Sequence, residues 1–566
     1  MSNSYIYLEG VNMKKICFLF LYLFSLSCIL CGNEQYVHLS DKISFASYSD
    51  LKSQSTTFEI SEDIIKESEK VTIEVMSNSN FKYDVGEYHN LTSEEVMRIK
   101  TERKQLAEKY HVSLNTETLN FISQKNLNNV YISKYFPIVS FEIDSHELVN
   151  SKYALLNEIA KNENVKNIEV KPKKEYQEQA SFNGALEVMN AYDEVYSGSL
   201  TGNGVVVGVL DCGIIDIENP NFEGKNVTVR NHLIYIESVQ QHATAMASII
   251  VKTASNASIL SVEAFNNLSG ELDWMIDRDV DVVNMSFGES GVDGYSTVSA
   301  TVDYMIKTYG ITCCVSAGNC TIEDGYYVAN PGLSLNAITV GNNSSSCTID
   351  PASCYISSTG VDKPTLTNIG TSVFVPNINY DMSGTSVSTA FTTGAVALLM
   401  EHDPTLKLYP ARVTGLLTSS SYMNPNLSYL EDSYLDDEGG AGVVDFGNAK
   451  DNVNNYFSVA TNSSHTSNQV IYSTRLYLTK GQNIRMTLSW LADSNGSVNS
   501  TVVNDYELSL CRPAGGEEQC TWGSTGTVDM INYTAAYTGN YWVYVVVTDN
   551  TNDDTAQTLF VTWSIE

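Results

Sequence analysis

The chain has 566 residues, too many for one ordinary core, and its 43% hydrophobic and 17% charged residues describe a folded protein rather than a disordered one. Lys and Arg number 33 against 66 Asp and Glu, a formal net charge of −33. So acidic a surface repels nucleic acid and removes that class of partner.

The first element in chain order is a leader. Lys14 and Lys15 precede an apolar run from Ile16 to about Cys31, short for a spanning helix and flanked as a secretory signal is. Met13 offers it a start, and a signal peptide is placed at residues 1–32. Cys28 follows Ser27 and offers a lipid attachment point, although Ser25 stands where a bulky aliphatic residue is usual. The product is expected to be secreted, or held at a membrane only if Cys28 is lipidated. Cysteine usage fits export: of the 11 cysteines, Cys17, Cys28 and Cys31 fall in the leader. Among the rest, Cys347 with Cys354 and Cys511 with Cys520 sit in short polar loops that could close small disulfides. No cysteine pair has the histidine-backed spacing of a zinc site.

Residues 33–179 contain a patterned stretch at about 70–175. Val71–Val75 reads as a strand, and Ser93–Tyr110 as a charged helix that Thr92 and Glu95 would open as a capping box. Two strands follow within Val130–Ile143, a second helix at Leu148–Lys161, and a last strand at Asn164–Val170. The β-α-β-β-α-β order predicts a small ferredoxin-like α+β unit. A polar linker, Lys171–Gln179, follows it and is expected to be cleavable.

Residues 180–450 change character. Val205–Leu210 is a near-continuous apolar run, and similar runs recur at Ile259–Val262, Val280–Met285, Ile311–Val315 and Ala337–Val340 with helical segments between. Strands buried on both faces and joined by helices predict a parallel α/β sheet whose reactive groups gather at the strand carboxyl ends. From 456 to 566 helical periodicity stops. Short alternating runs at Arg475–Leu478, Ile484–Trp490, Tyr506–Leu510, Tyr541–Val547 and Thr558–Ile565, parted by Gly, Asn and Asp turns, predict an antiparallel β-sandwich or jelly roll.

The middle segment also carries the chemistry. Acyl transfer by serine needs a hydroxyl, a base for its proton, a carboxylate to orient that base, and donors aimed at the developing oxyanion. Asp211 ends the first buried strand. His242, one of only 8 histidines, opens an apolar helical stretch, Ala245–Ile250. Ser386 lies in Gly384-Thr385-Ser386-Val387-Ser388-Thr389-Ala390 at the start of a helix, where free N–H groups and the helix dipole favour an anion. Asn319, in Ser316-Ala317-Gly318-Asn319, has an amide able to donate to an oxyanion. Each alone has a plainer reading as a core histidine, a helix cap or a turn asparagine. Asp before His before Ser, with the Asn between the last two, is one of the chain orders in which this geometry recurs.

On these motifs residues 200–420 resemble the peptidase domain of the subtilisin-like family. Gly204–Gly213, His242–Ser248, Ala317–Asn319 and Gly384–Ala390 are similar to its Asp, His, oxyanion and Ser motifs. The resemblance implies Asp211, His242 and Ser386 as catalytic triad and Asn319 as oxyanion donor. It implies that Ser286, Phe287 and Gly288, with Ser316, Ala317 and Gly318, wall the substrate pocket, and that Ala329 lies near its base. It also implies protein or peptide substrates, an inhibitory propeptide at 33–179 that acts as the enzyme's own intramolecular partner and folding template, and an appended sandwich at 456–566. No cofactor is expected for catalysis; structural calcium is an expectation of the family with no ligand assigned. Cys212 stands in place of the usual Ser or Thr, Ala243 in place of Gly, and Ala390 where Pro is common. The stretch from Val262 to Ser286 is short, which reduces the edge that would pair with substrate backbone. The alternative reading is a catalytically silent binding protein on the same fold.

Overall fold

The computed structural model describes residues 43–45, 70–79, 81, 91–122, 128–144, 154–171, 183–230, 237–264, 267–288, 294–320, 325–359, 361–378, 381–422, 436, 438–461, 465–492, 504–512, 517–520, 526–550 and 557–566. All of them belong to one unit, Asp41–Glu566.

The amino-terminal part is a five-stranded sheet. Strands β1 (Ile43–Phe45), β2 (Lys70–Ser77), β3 (Asn128–Ile132), β4 (Ile138–Asp144) and β5 (Val165–Lys171) lie in the order β1-β5-β2-β4-β3. The last four strands in that list form the antiparallel arrangement that the β-α-β-β-α-β reading predicts. Helix α1 (Ser93–Ile122) opens as a capping box: Thr92 N donates to Glu95 Oε2 at 2.9 Å, and Glu95 N to Thr92 Oγ1 at 3.3 Å. It runs past the expected end at Tyr110 because no Gly or Pro interrupts it. Asn115 is satisfied inside it by donating to Ser133 O and Phe136 O, both at 2.7 Å. Helix α2 (Ala154–Ala160) is the described part of the second predicted helix.

The central sheet has seven parallel strands: β6 (Val206–Asp211), β7 (Val227–Val229), β8 (Ser258–Glu263), β9 (Val282–Met285), β10 (Thr312–Ser316), β11 (Ile338–Asn343) and β12 (Leu366–Ile369), in the order β12-β11-β10-β9-β6-β8-β7. The inner strands are apolar and buried on both faces, as helices on each side of a parallel sheet require. Helix α3 (Glu237–Thr253) and helix α6 (Thr385–His402) pack together on one face; α4 (Leu268–Ile276) and α5 (Thr297–Tyr309) follow β8 and β9. From Thr385 to Met400 every residue of α6 is buried, so it is a core helix rather than an amphipathic one. Gly394 is required there, since a Cβ on it would lie 2.7 Å from Thr253 Cβ.

The carboxyl-terminal part has two antiparallel sheets that share one core around Trp490, Tyr506, Leu508 and Val545. Strands β13 (Tyr456–Ala460), β15 (Asn483–Ser489), β18 (Val528–Thr534) and β20 (Thr558–Ile565) form one. Strands β14 (Gln469–Leu478), β16 (Asn504–Cys511), β17 (Glu517–Cys520) and β19 (Gly539–Asn550) form the other. The first sheet packs on helix α7 (Pro410–Ser420), where Gly415 makes room for Ser489 and Thr562 and Ser564 Oγ donates to Ser419 O at 2.6 Å.

The amino-terminal sheet is laid against α4 and α5. Asp273 of α4 accepts from Tyr131 Oη, from Ser133 Oγ at 2.9 Å and from Lys134 N at 2.8 Å. His111 meets Tyr304 of α5 within an aromatic cluster that includes Phe81 and Tyr110. Lys100 of α1 reaches Asp281 Oδ1 at 2.6 Å, while Asp281 Oδ2 holds Lys407 at 3.2 Å and accepts from Val206 N at 2.9 Å. All three side chains of this cluster are buried.

Candidate active site

Four segments converge at the carboxyl edge of the parallel sheet. Asp211 is the last residue of β6 and is 0% exposed. His242 lies more than a turn inside α3, so it does not open its helix; the helix begins at Glu237, earlier than the apolar pattern indicates. His242 Nδ1 donates to Asp211 Oδ1 at 2.8 Å, and Cys212 N donates to the same oxygen at 2.7 Å. Against a carboxylate the ring nitrogen must carry the hydrogen, which leaves Nε2 of a neutral imidazole as the basic atom.

Ser386 is the second residue of α6 and 6% exposed. Its hydroxyl donates to Ser286 O at 3.1 Å, and Ser286 Oγ donates back to Ser386 O at 3.0 Å. This exchange ties the start of α6 to the end of β9, next to β6 in the sheet. Asn284 Nδ2, donating to Ser286 Oγ at 2.9 Å, fixes the arrangement from below.

Asn319 is exposed, and Thr385 holds its side chain. Thr385 N donates to Asn319 Oδ1 at 2.9 Å, with Thr385 Oγ1 at 3.2 Å from the same oxygen. A backbone N–H can only donate, so the carbonyl end of the amide is held at the helix start. Thr385 Oγ1 also accepts from Gly318 N at 3.2 Å. Thr385 thereby places both the amide and the adjacent wall, a role its position in Gly-Thr-Ser hints at but does not specify.

The two segments expected to wall the substrate pocket are continuations of neighbouring strands. Ser286, Phe287 and Gly288 leave β9; Ser316 ends β10, followed by Ala317 and Gly318; Ser316 Oγ donates to Phe287 O at 3.2 Å. Gly318 has φ +108°, a conformation that favours glycine.

Cys354 is cross-linked to Cys320, not to Cys347. The backbone brings the first pair together: Asn319 bridges to Ser353, Cys320 N donates to Ala352 O at 2.7 Å, and Cys354 N to Gly318 O at 3.1 Å. The two Cα atoms are then 5.2 Å apart. Proximity in the chain does not decide the pairing: Cys347 belongs to a separate turn, with Cys347 N donating to Ser344 O. The expected Cys511–Cys520 pair falls on Cys520, whose side chain lies outside the described residues. Among the described residues no group of three or more His, Cys, Asp or Glu side chains is placed to hold a metal ion.

A buried carboxylate, an imidazole bonded to it, a serine at a helix start and an amide beside that serine are the residue types that a serine hydrolase centre requires, here on a parallel α/β sheet. The Peptidase S8, Subtilase family model matches residues 202–485, half of the sequence, and the chain belongs to that family of serine peptidases. It is 27% identical to the serine protease AprX of Bacillus subtilis, over 43% of this chain and 67% of that protein. To subtilisin of Bacillus pumilus it is 26% identical, over 42% of this chain and 90% of the relative. Among solved structures, the prenylagaramide maturation protease PagA matches 46% of this chain and 96% of its own length at 20% identity, with a TM-score of 0.38.

Proposed function

We propose that the protein is a secreted serine endopeptidase made as a self-processing proenzyme. The observation that carries the reading is the Asp211–His242 hydrogen bond of 2.8 Å at the end of β6, next to β9, after which Ser286 O holds the Ser386 hydroxyl at the start of a buried helix. Ser386 Oγ attacks the scissile carbonyl, turning about its Cα–Cβ bond from Ser286 O to hand its proton to His242. Asp211 holds the imidazole and stabilises its charged form, and Nδ2 of Asn319 donates to the oxyanion. His242 then protonates the leaving amine, and water releases the acyl group from Ser386 by the same steps in reverse.

The amino-terminal sheet, docked on α4 and α5, is the intramolecular inhibitor in this reading. The expected linker, Lys171–Gln179, starts at the last residue of β5; its remainder, 172–179, lies outside the described residues and is the segment to be cut. The leader at 1–32 directs export, and a lipid on Cys28 would hold the product at the surface. The decisive test is labelling with a fluorophosphonate: the protein must react at Ser386, and Ser386→Ala must abolish both labelling and peptide hydrolysis. A protein that hydrolyses peptides without labelling at Ser386 contradicts the assignment.

A further inference from the structure

We infer that the enzyme cleaves after small residues, Gly, Ala or Ser, because the methyl group of Ala329 fills the space between the two walls of the pocket; the inference rests on Ser386 being the nucleophile. A substrate whose carbonyl lies between Ser386 and Asn319 must send the side chain preceding the scissile bond between Ser286–Gly288 and Ser316–Gly318. Both of those walls end in glycine, which by itself would leave room for a large side chain. The room is taken from below. A Cβ built on Gly288 would lie 2.7 Å from Ala329 Cβ, and one built on Gly318 would lie 3.1 Å from the same atom. One methyl group therefore lies close to both walls and occupies the base of the gap between them.

The methyl cannot retreat, because the chain on either side is fixed. Ala329 N donates to Ala317 O at 2.9 Å, tying the base to one wall, and Val328 N donates to Ile356 O at 2.9 Å. Asn330 is fully buried and uses both ends of its amide: Oδ1 accepts from Ser299 Oγ at 2.5 Å and Ser296 N at 3.2 Å, and Nδ2 donates to Gly294 O at 3.0 Å. Ala329 itself is 4% exposed. The far wall is backed as well, with Cys354 Sγ of the disulfide 3.0 Å from a Cβ on Gly318. Widening the pocket for a Leu or Phe side chain would have to break one of these supports.

The test compares peptide substrates that differ only in the residue before the scissile bond (Gly, Ala, Leu or Phe), using processed enzyme whose active sites are counted with a fluorophosphonate. The expected result is a kcat/KM for Ala at least tens of times that for Phe. In Ala329→Gly the Phe-to-Ala ratio of kcat/KM should rise by roughly 10–200-fold, the range a single carbon commands in an apolar pocket. In Ala329→Val the Ala-to-Gly ratio should fall. The second variant keeps the test open should the first fail to fold. Enzyme that labels at Ser386 yet cleaves after Phe as fast as after Ala, or a Phe-to-Ala ratio unmoved in Ala329→Gly, overturns this inference and leaves the catalytic assignment standing. Neither labelling nor cleavage overturns both.

Discussion

Removing the Asn319 amide isolates one part of the mechanism. Its Oδ1 accepts from Thr385 N at 2.9 Å, so the donor in the proposed role is Nδ2, and Asn319→Ala deletes it. The backbone of Asn319 is pinned independently, by its bridge to Ser353 and by the cross-link at Cys320, so the loop should keep its path. Loss of a single oxyanion donor costs about 2.7–4 kcal/mol of barrier, or roughly 10²–10³ in turnover. Since the oxyanion exists in the transition state and not in the bound peptide, kcat should fall by that factor while KM stays within about twofold. Steady-state hydrolysis of a fluorogenic peptide reads both constants, and titration with a fluorophosphonate normalises them to competent sites. Thr385→Val, which removes the Oγ1 contacts to Gly318 N and Asn319 Oδ1 but keeps the backbone N–H, should cost less, about tenfold, since the net worth of neutral hydrogen bonds is about 1 kcal/mol. An unchanged kcat in Asn319→Ala would refute the role. A raised KM at constant kcat would also refute it, because the amide would then serve ground-state binding.

Three further outcomes follow from the geometry. Expressed alone, Ser386→Ala should keep residues 33–179 covalently attached, read by mass; maturation at the same bond without added protease would rule out self-processing. Burial lowers the His111 pKa to about 4, so the folded chain resists protonating it while the unfolded chain takes a proton near 6.5. Its contribution is therefore full above pH 6.5 and is lost as pH falls towards 4, by up to about 3 kcal/mol. Asp273, raised to about 6 by burial at the same interface, pulls in the opposite direction. Chemical denaturation of the Ser386→Ala chain with and without His111→Phe should show the acid loss disappear in the variant; an identical pH profile argues against the role. Finally, Cys320→Ser with Cys354→Ser opens a loop with a sequence separation of 34. That should cost about 4 kcal/mol by loop entropy and lower kcat more than it raises KM. A variant with unchanged melting and turnover would make the cross-link incidental.

Much of this arrangement is written in local sequence. The short, Val-rich apolar run before Asp211 reads as a doubly buried strand and is one, and Thr92 with Glu95 announces the start of a helix that is found there. The last strand, Thr558–Ile565, has the predicted limits because alternation and flanking turns agree. Three residues, Val227–Val229, and four, Leu366–Ile369, are too few to show a period, so these edge strands were not legible. The partner of Cys354 was hidden for another reason. It depends on a backbone bridge between Asn319 and Ser353, and no spacing rule carries such a contact. Thr385 was legible as a neighbour of the nucleophile, but its hold on Asn319 and Gly318 is purely tertiary.

The buried carboxylate of Asp281 has a consequence for the speed of folding. Its two ammonium partners come from opposite directions along the chain, Lys100 at a separation of 181 residues and Lys407 at 126. Contacts of such span form late, because the entropy of closing the intervening chain must be met before they give anything back. Until both arrive, a negative charge sits next to β9 with only part of its neutralising partners. During synthesis Lys100 emerges first and is already present in the chain when Asp281 appears. A chain refolded after losing its amino-terminal unit starts without that cation and must bring β6 and β9 together with Lys407 alone, so its nucleation should be the slower of the two.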